Sequence, residues 1–480
     1  MVGVSGRSRA CANCKSRHIK CDEARPSCNR CVKAGLNCRG YERMTKFVDE
    51  TLWTRGKHSS SIVSKKTASY PSSWNSADIS KKLDPLVMRF LRGMFMPHNV
   101  DFTSWHYSPS DGAVVRRPFL PGVTLQALAL SLHGKVTRNQ ESLNQAVELY
   151  GFSIRSIRAD LRDENAVSTT LLISSVLHMT MYEWVHATNT LAWKHHAQAL
   201  ARMVEMRGPY VFKQGIEKRL FLQARSMILI AALEDRKRTF LAEDIWQTVP
   251  WSNTPELKTY INRYVDLVLF IPSIMEDLDI LRQAETEAKQ CSIRDRIRTT
   301  ILSLHKRLLD IRCDWEIITA NAAYEAPPQR SEHVYSSVDE TGSALFTSLL
   351  GFKDLQTCVE MGMYHVILFF LRDFENEIGM EQVNNTPSLA MPKRSNPGLK
   401  FPHELMTVRD IGIDICRSVE FFLQPSHGLT GAYFLIFPLR VAQFAFELDE
   451  DRAIVAWTRK IMRHIGDTYG FSTAYAFCGS

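Results

Sequence analysis

The sequence contains no long apolar run, and this absence limits the kinds of protein it can encode. A membrane-spanning helix needs about 18 or more consecutive apolar residues, and no segment of these 480 residues reaches that length. The best candidate, residues 433–446, carries Arg440 near its middle. Residues 1–10 are rich in glycine, serine and arginine and lack the apolar segment of a signal peptide. We therefore expect a soluble, intracellular protein with no membrane partner.

Motifs that carry enzyme chemistry are also missing. Neither of the glycine-rich phosphate loops, G-x-x-x-x-G-K-[ST] and G-x-G-x-x-G, occurs, and no G-x-S-x-G nucleophile turn is found. Four histidines without the spacing of metal ligands lie in one predicted helical stretch: His178, His186, His195 and His196. Five cysteines are scattered singly, as is typical of buried free thiols: Cys291, Cys313, Cys358, Cys416 and Cys478. These observations predict that the chain is not an enzyme.

What the sequence does contain is a basic N-terminal segment on a neutral body. The whole chain has 59 basic and 51 acidic side chains, and its formal net charge is +8. Residues 1–46 hold 11 of the basic and 3 of the acidic side chains, which leaves 48 of each sign in the rest. A compact basic segment of this kind indicates a module that binds a polyanion. A solvated basic tail is the alternative.

Six cysteines fall within 28 residues and form an internal repeat: Cys11, Cys14, Cys21, Cys28, Cys31 and Cys38. The last three follow the first three by a shift of 17 residues. In an intracellular chain such a cluster predicts a metal site rather than disulfides, and a disulfide knot is the alternative. Two tetrahedral Zn²⁺ ions need eight metal–sulfur bonds, so six thiolates suffice only if two sulfur atoms bridge. The repeat favours Cys11 and Cys28 as the bridges.

The segment ACANCKSRHIKCDEARPSCNRCVKAGLNCRGY, residues 10–41, resembles the fungal binuclear zinc cluster, Zn(2)-Cys(6), of fungal transcription factors. All six ligand positions match, and so does the loop proline, Pro26. The resemblance implies a small two-helix zinc cluster that holds two Zn²⁺ per chain. It also implies that a short helix enters the major groove of double-stranded DNA and recognises a CGG triplet.

The two halves of the repeat differ in charge. Residues 15–20 have the sequence Lys-Ser-Arg-His-Ile-Lys, whereas the equivalent residues 32–37 contain a single cation. Arginine and lysine can donate to N7 and O6 of guanine, so the first half is predicted to contact DNA. By family position, Arg17 and His18 should lie nearest the bases, with Lys15 and Lys20 nearer the phosphates. The family usually has lysine or arginine where His18 stands.

Behind the cluster we predict a flexible linker and a large all-α body. The predicted boundaries are 1–43 for the DNA-binding domain, 44–84 for the serine- and lysine-rich linker, and 85–480 for the body. No coiled-coil repeat follows the cluster. Apolar residues at helical spacing predict helices in the following segments: 169–182, 192–206, 219–233, 344–374, 405–422 and 432–446. Residues 375–402, with four prolines, are expected to form a surface loop.

The body resembles the fungal-specific transcription factor domain, in helical content and in segments such as HHAQALARMVEMRGP. The combined resemblance implies a nuclear, zinc-dependent, sequence-specific regulator of RNA polymerase II transcription. Its partners would be DNA and, through the helical domain, the transcription machinery or co-regulators, with a homodimer as one assembly. Two other hypotheses remain at this point. One is a scaffold protein with a purely structural zinc module, and the other is an enzyme with an appended DNA-binding segment.

Overall fold

The computed structural model describes residues 11, 13–14, 17, 19–22, 24, 27–36, 38, 81–95, 120–160, 169–189, 191–328, 333–339, 341–381, 393–396, 398–405, 407–448 and 451–478. The chain divides into two compact units, Met1–Thr67 and Ala68–Ser480. Each unit has its own core, made of cysteines in the first and of aliphatic and aromatic side chains in the second. The predicted linker falls almost wholly outside the described residues.

The two halves of the cysteine repeat in the first unit have the same local backbone geometry. The backbone N–H groups of Cys14 and Cys31 donate to the sulfur atoms of Cys11 and Cys28, over 3.4 and 3.3 Å. In each half the first cysteine sulfur therefore accepts from the residue three positions later, as a capping side chain does at the start of a helix. In the second half this helix is α1, Asn29–Lys33, with Cys28 as its N-cap.

The second unit is built of helices, which confirms the mainly α fold class. Its α-helices are α2 Pro85–Phe95, α3 Leu120–Thr137, α4 Gln140–Asp160, α5 Thr170–His186, α6 Ala192–Arg207, α7 Gly215–Asp235, α8 Asp244–Thr248, α9 Tyr260–Val268, α10 Ile271–Arg282, α11 Glu287–Ile318, α12 Leu355–Glu377, α13 Val408–Cys416, α14 Val419–Phe422, α15 Gly428–Leu448 and α16 Arg452–Tyr469. Helices α4 and α5 pack against α3, and helices α13 and α16 pack against α15.

The unit also contains a two-stranded antiparallel sheet that the sequence did not predict. Strands β1, Ala323–Ala326, and β2, Leu349–Phe352, pair in the register Ala323↔Phe352. The expected continuous helix over 344–374 is therefore wrong in its first part. Helix α12 begins only at Leu355, where the Asp354 side chain accepts from the N–H of Thr357 at 2.9 Å.

Two further expectations need correction. The predicted helix over 405–422 is divided into α13 and α14 at Arg417, whose backbone carbonyl accepts from the N–H of Leu350 in β2 at 2.9 Å instead of from within a helix. The predicted surface loop over 375–402 is only partly at the surface where it is described, since its first residues end α12 and its last part is buried. Asn396, Leu399 and Phe401 are buried in it, and the N–H of Asn396 donates to the Glu316 carboxylate at 2.8 Å.

Helix α15 contains the most apolar stretch of the described chain. Residues 428–447 are long and apolar enough to cross a membrane, but 72% of the most apolar window is buried inside the unit. A single such helix is weak evidence for a membrane span, since core helices have the same composition. Its packing against α12, α13 and α16 accounts for its apolar surface.

Candidate metal centre and nucleic-acid interface

The six clustered cysteines bring their sulfur atoms together in two overlapping groups. One group consists of Cys11, Cys14, Cys21 and Cys28, and the other of Cys11, Cys28, Cys31 and Cys38. Within each group all sulfur atoms lie within 4.8 Å of one another. The two groups share Cys11 and Cys28, which are the two cysteines that the repeat favours as bridges.

The sulfur–sulfur distances fit shared metal ions and exclude disulfides. Cys11 Sγ lies 3.6 Å from Cys28 Sγ and 3.7 Å from Cys31 Sγ, and Cys14 Sγ lies 3.7 Å from Cys28 Sγ. A disulfide bond is only about 2.05 Å long. Four sulfurs bound tetrahedrally to zinc at about 2.3 Å lie about 3.8 Å apart. The donor set therefore fits two zinc ions, each with four thiolate ligands.

Burial means that these sulfur atoms can act as thiolate ligands only when a cation is bound. Cys11, Cys14, Cys28 and Cys31 have no exposed surface. Burial raises the pKa of the Cys14 thiol to about 12 and raises that of Cys28 further. Without a cation these thiols would stay protonated at neutral pH, whereas zinc binds thiolates. The positive charge of the metal would offset the cost of burying them.

Asp22 is a residue of this centre that the sequence analysis did not single out. Its carboxylate accepts from the backbone N–H of Asn29 at 3.0 Å, at the first residue of α1. A carboxylate at a helix N-terminus pairs with unsatisfied N–H groups and with the positive end of the helix dipole. Asp22 thus ties the segment after Cys21 to the start of the second half. An acidic residue seven positions before a short helix is too weak a signal to find it from the sequence.

Of the four predicted DNA contacts, Arg17 and Lys20 are described and both are exposed. Lys15 and His18 lie outside the described residues. The backbone N–H of Arg17 donates to the carbonyl of Asn13 at 3.1 Å, which places Arg17 at the end of the short helical turn that carries Cys14. Its guanidinium is on a segment fixed to the cysteine cluster and is open to solvent.

The two halves expose different chemistry. At the position equivalent to Arg17 the second half has Ala34, and beside it Val32 and Leu36 are 62% and 43% exposed. Lys33 is the one cation between Cys31 and Cys38. Between the second and third cysteines, the first half therefore exposes the cations Arg17 and Lys20 beside Ile19, and the second half exposes mainly apolar surface around Lys33. Outside this segment, Arg30 on α1 is a further exposed cation of the second half.

Comparison with known families identifies this centre. The profile described as the fungal Zn(2)-Cys(6) binuclear cluster domain matches residues 9–46. Residues 9–46 are a Zn(2)-Cys(6) binuclear cluster domain. Such a domain binds two zinc ions, in agreement with the two cysteine groups. The match covers 38 residues, so it identifies the first unit and does not extend to the helical one.

Relatives of the chain are named as regulators of transcription. A phomenoic acid biosynthesis cluster-specific transcriptional regulator of Leptosphaeria maculans is 24% identical over 43% of this chain and 43% of its own length. The aspercryptin biosynthesis cluster-specific transcription regulator of Emericella nidulans is 51% identical over 9% of this chain and 7% of its own. An uncharacterised transcriptional regulatory protein of Schizosaccharomyces pombe is 40% identical over 12% of this chain and 11% of its own length. Each match spans less than half of the relative's length. No solved structure matches the chain significantly.

Two of the four histidines in the predicted helical stretch, His178 and His196, have structural partners. His178 lies 3.0 Å from the Thr124 hydroxyl, and His196 lies 3.0 Å from the hydroxyl of Tyr150. Burial lowers the pKa of His178 to about 3 and that of His196 to about 4, so both are neutral at physiological pH. Among the described residues, only the cysteine groups bring three or more candidate metal ligands together.

Proposed function

We propose that the chain is a zinc-dependent, sequence-specific DNA-binding transcription factor that regulates RNA polymerase II transcription in the nucleus. The observation that carries this proposal is the contrast between the two halves of the cluster. One half of a twofold metal scaffold presents exposed cations, and the equivalent surface of the other is mainly apolar. A zinc module with a purely structural role gives no reason for such a difference.

In this proposal zinc, bound by the six cysteines, holds the first unit folded, and the segment after Cys14 enters the major groove. Arg17 donates to N7 and O6 of a guanine in a CGG-type triplet, because a guanidinium presents two N–H groups with the spacing of those acceptors. His18 lies beside it against the bases. Lys15 and Lys20 contact phosphates, which orient the module without specifying sequence.

The helical unit is proposed to act as the regulatory domain. Its large core gives it stability of its own, and its surface would contact the transcription machinery or co-regulators. The proposed organisation keeps a DNA-binding domain at 1–43, a linker at 44–84 and the regulatory domain at 85–480. DNA is bound either by a monomer on a single triplet or by a homodimer on paired triplets.

The test is selection of binding sites from random double-stranded DNA with zinc-loaded full-length protein. The Cys28→Ser variant, which removes a ligand from both cysteine groups, is the matched control. Enrichment of CGG-containing sites by the wild-type protein alone supports the proposal. Paired triplets at a fixed spacing indicate a homodimer, and single triplets indicate a monomer. If no sequence is enriched, the proposal is wrong and the zinc module is structural.

A further inference from the structure

A basic groove lies in the helical unit, on the exposed face of α16. Its volume is about 670 Å³, within the range of small-molecule sites in proteins. One wall contains Val338, Asp339 and Thr341, and the other is the first three turns of α16. Four cationic side chains line it: Arg452, Arg459, Lys460 and Arg463.

The four cations share one face because of their spacing along the helix. They stand at positions i, i+7, i+8 and i+11, which a helical period of 3.6 brings to the same side. This arrangement disfavours the helix itself. Arg452 is the first residue of α16, where the helix dipole is positive, and Arg459 and Arg463 are like charges four residues apart. Helix stability therefore does not explain why these residues are cationic.

Few carboxylates neutralise the groove within the part of the chain that the structure describes. Arg459 lies 3.4 Å from Glu447, while no ion pair is formed there by Arg452, Lys460 or Arg463. The Nε atom of Arg459 is buried and has no hydrogen-bond partner among the described residues. Among the described residues that line the groove, the cations therefore outnumber the carboxylates by four to one.

Asp339 is the acidic side chain among the described residues that line the groove, and it is engaged in its own turn. The Asp339 carboxylate accepts from the backbone N–H groups of Thr341 and Ser343, at 2.8 and 2.9 Å. The Thr341 hydroxyl donates to the same carboxylate and is the largest cause of its lowered pKa, followed by these backbone N–H groups. Asp339 therefore stays ionised. It fixes the turn through one carboxylate oxygen and adds a single negative charge to the wall opposite the four cations.

The floor of the groove is small, apolar and fixed in place. Ala453 and Ala456 lie between the cations and leave room for a ligand to approach the helix. Beneath them Trp457 is held by a hydrogen bond from its indole N–H to the Ser336 carbonyl at 2.8 Å. Phe346 packs edge-on against its ring, with centroids 5.6 Å apart. Such a preformed floor reduces the entropy lost when a ligand binds.

We propose that this groove binds a small organic anion with at least two negative charges, of the carboxylate or phosphate class. Arginine pairs with both groups through two parallel hydrogen bonds, and the alanine and tryptophan floor would contact the organic part of the ligand. A groove of this size fits a small molecule better than a duplex or a folded partner. The proposal goes beyond DNA binding and does not depend on it.

The test is calorimetric titration of zinc-loaded full-length protein at constant ionic strength. Citrate is the tricarboxylate probe and inorganic pyrophosphate is the phosphate probe. We expect saturable binding of at least one probe, with a Kd below about 1 mM. The R452Q/R463Q double variant should weaken it at least about tenfold, because two charge-assisted contacts are lost. Both side chains are exposed, so this variant should keep its fold, as circular dichroism would check.

Two control variants test whether anion binding needs this groove or only positive charge on the protein surface. The R294Q/R298Q double variant removes two exposed arginines four residues apart on α11, which have no ion pair in the described structure, and it should bind as the wild type does. Ala456→Phe keeps every cation but fills the groove, and it should abolish binding. Absence of saturable binding by either probe contradicts the proposal, and so does equal weakening in the α11 variant. A loss of DNA affinity without a loss of anion binding in R452Q/R463Q would instead make the groove a DNA contact.

Discussion

At the scale of single residues, Arg17 and Lys20 are both exposed cations on the same half of the zinc cluster, and we expect them to contribute differently to DNA binding. Arg17→Ala should cost about 1–3 kcal/mol on the selected site and relax specificity at one base pair. Lys20→Ala should weaken binding to all sequences alike and reduce the salt slope by about 1. Fluorescence anisotropy on selected and scrambled duplexes, across a salt series, measures both effects.

The matched control is Lys33→Ala, since Lys33 is an exposed cation on the opposite half of the cluster. Lys33→Ala should change the affinity for the selected site less than Arg17→Ala or Lys20→Ala does. Equal losses for Arg17→Ala on selected and scrambled DNA would show that Arg17 contacts only the backbone.

His178 makes stability depend on pH. Burial lowers its pKa to about 3 from the ordinary 6.5, so the folded protein keeps it neutral. The unfolded chain takes up a proton near pH 6.5, so this contribution is complete above that pH and declines as the pH falls. The slope is about 1.4 kcal/mol per pH unit. His178→Gln should therefore flatten the unfolding free energy between pH 6.5 and 4.5. An unfolding free energy whose pH slope is the same in the wild type and in His178→Gln would contradict this account.

At the scale of helices and strands, Gly431 tests how closely α15 approaches its neighbour. A Cβ atom at Gly431 would lie 2.0 Å from the backbone carbonyl oxygen of Phe422, which a side-chain rotation cannot relieve. Gly431→Ala should destabilise the helical unit at the upper end of about 1–3 kcal/mol. Gly93→Ala is the control, because Gly93 lies in α2 with open space around it. It should stabilise by about 0.5–1 kcal/mol. Denaturant unfolding measures the free energy of unfolding of both variants. A Gly431→Ala variant as stable as the wild type would show that α15 can shift without cost.

Helical period predicted α5, α6 and α7 to within a few residues at most ends, because apolar residues recur at helical spacing along each of them. At Gly208, for example, a positive φ of 76° precedes a proline, and the sequence motif Arg-Gly-Pro indicated that end. Strand β2 could not be predicted, since Leu349–Phe352 is buried at every position and shows no alternation. A short apolar run of that kind fits a strand or a helix equally well.

The zinc centre was more predictable than the groove on α16, for a physical reason. The six cysteines lie within 28 residues, so their spacing alone sets which sulfur atoms can meet. The groove joins α16 to a turn more than 100 residues earlier in the chain. The cations at 452, 459, 460 and 463 share a helical face in the sequence, but only the fold brings Asp339 and its turn against them.

At the scale of the whole molecule, the two units should respond separately to removal of zinc. The core of the first unit consists of buried cysteines, with Cys21 and Cys38 packed against them, so a chelator removes what holds it together. The second unit has a separate apolar core that contains helices α2 to α16. Chelation should therefore abolish sequence-specific DNA binding while most of the helical circular dichroism and its thermal transition remain. Two molar equivalents of zinc should restore binding.

Substitution of single cysteines distinguishes bridging from terminal ligands. Cys28 belongs to both sulfur groups, whereas Cys21 belongs to one. Cys28→Ser should thus retain less zinc per chain than Cys21→Ser, because it weakens both ions at once. Metal analysis of the purified variants measures the difference, and circular dichroism verifies that the helical unit is intact in each. Equal zinc content in the two variants would contradict a bridging role for Cys28, and a collapse of the helical signal on chelation would show that the second unit depends on the first.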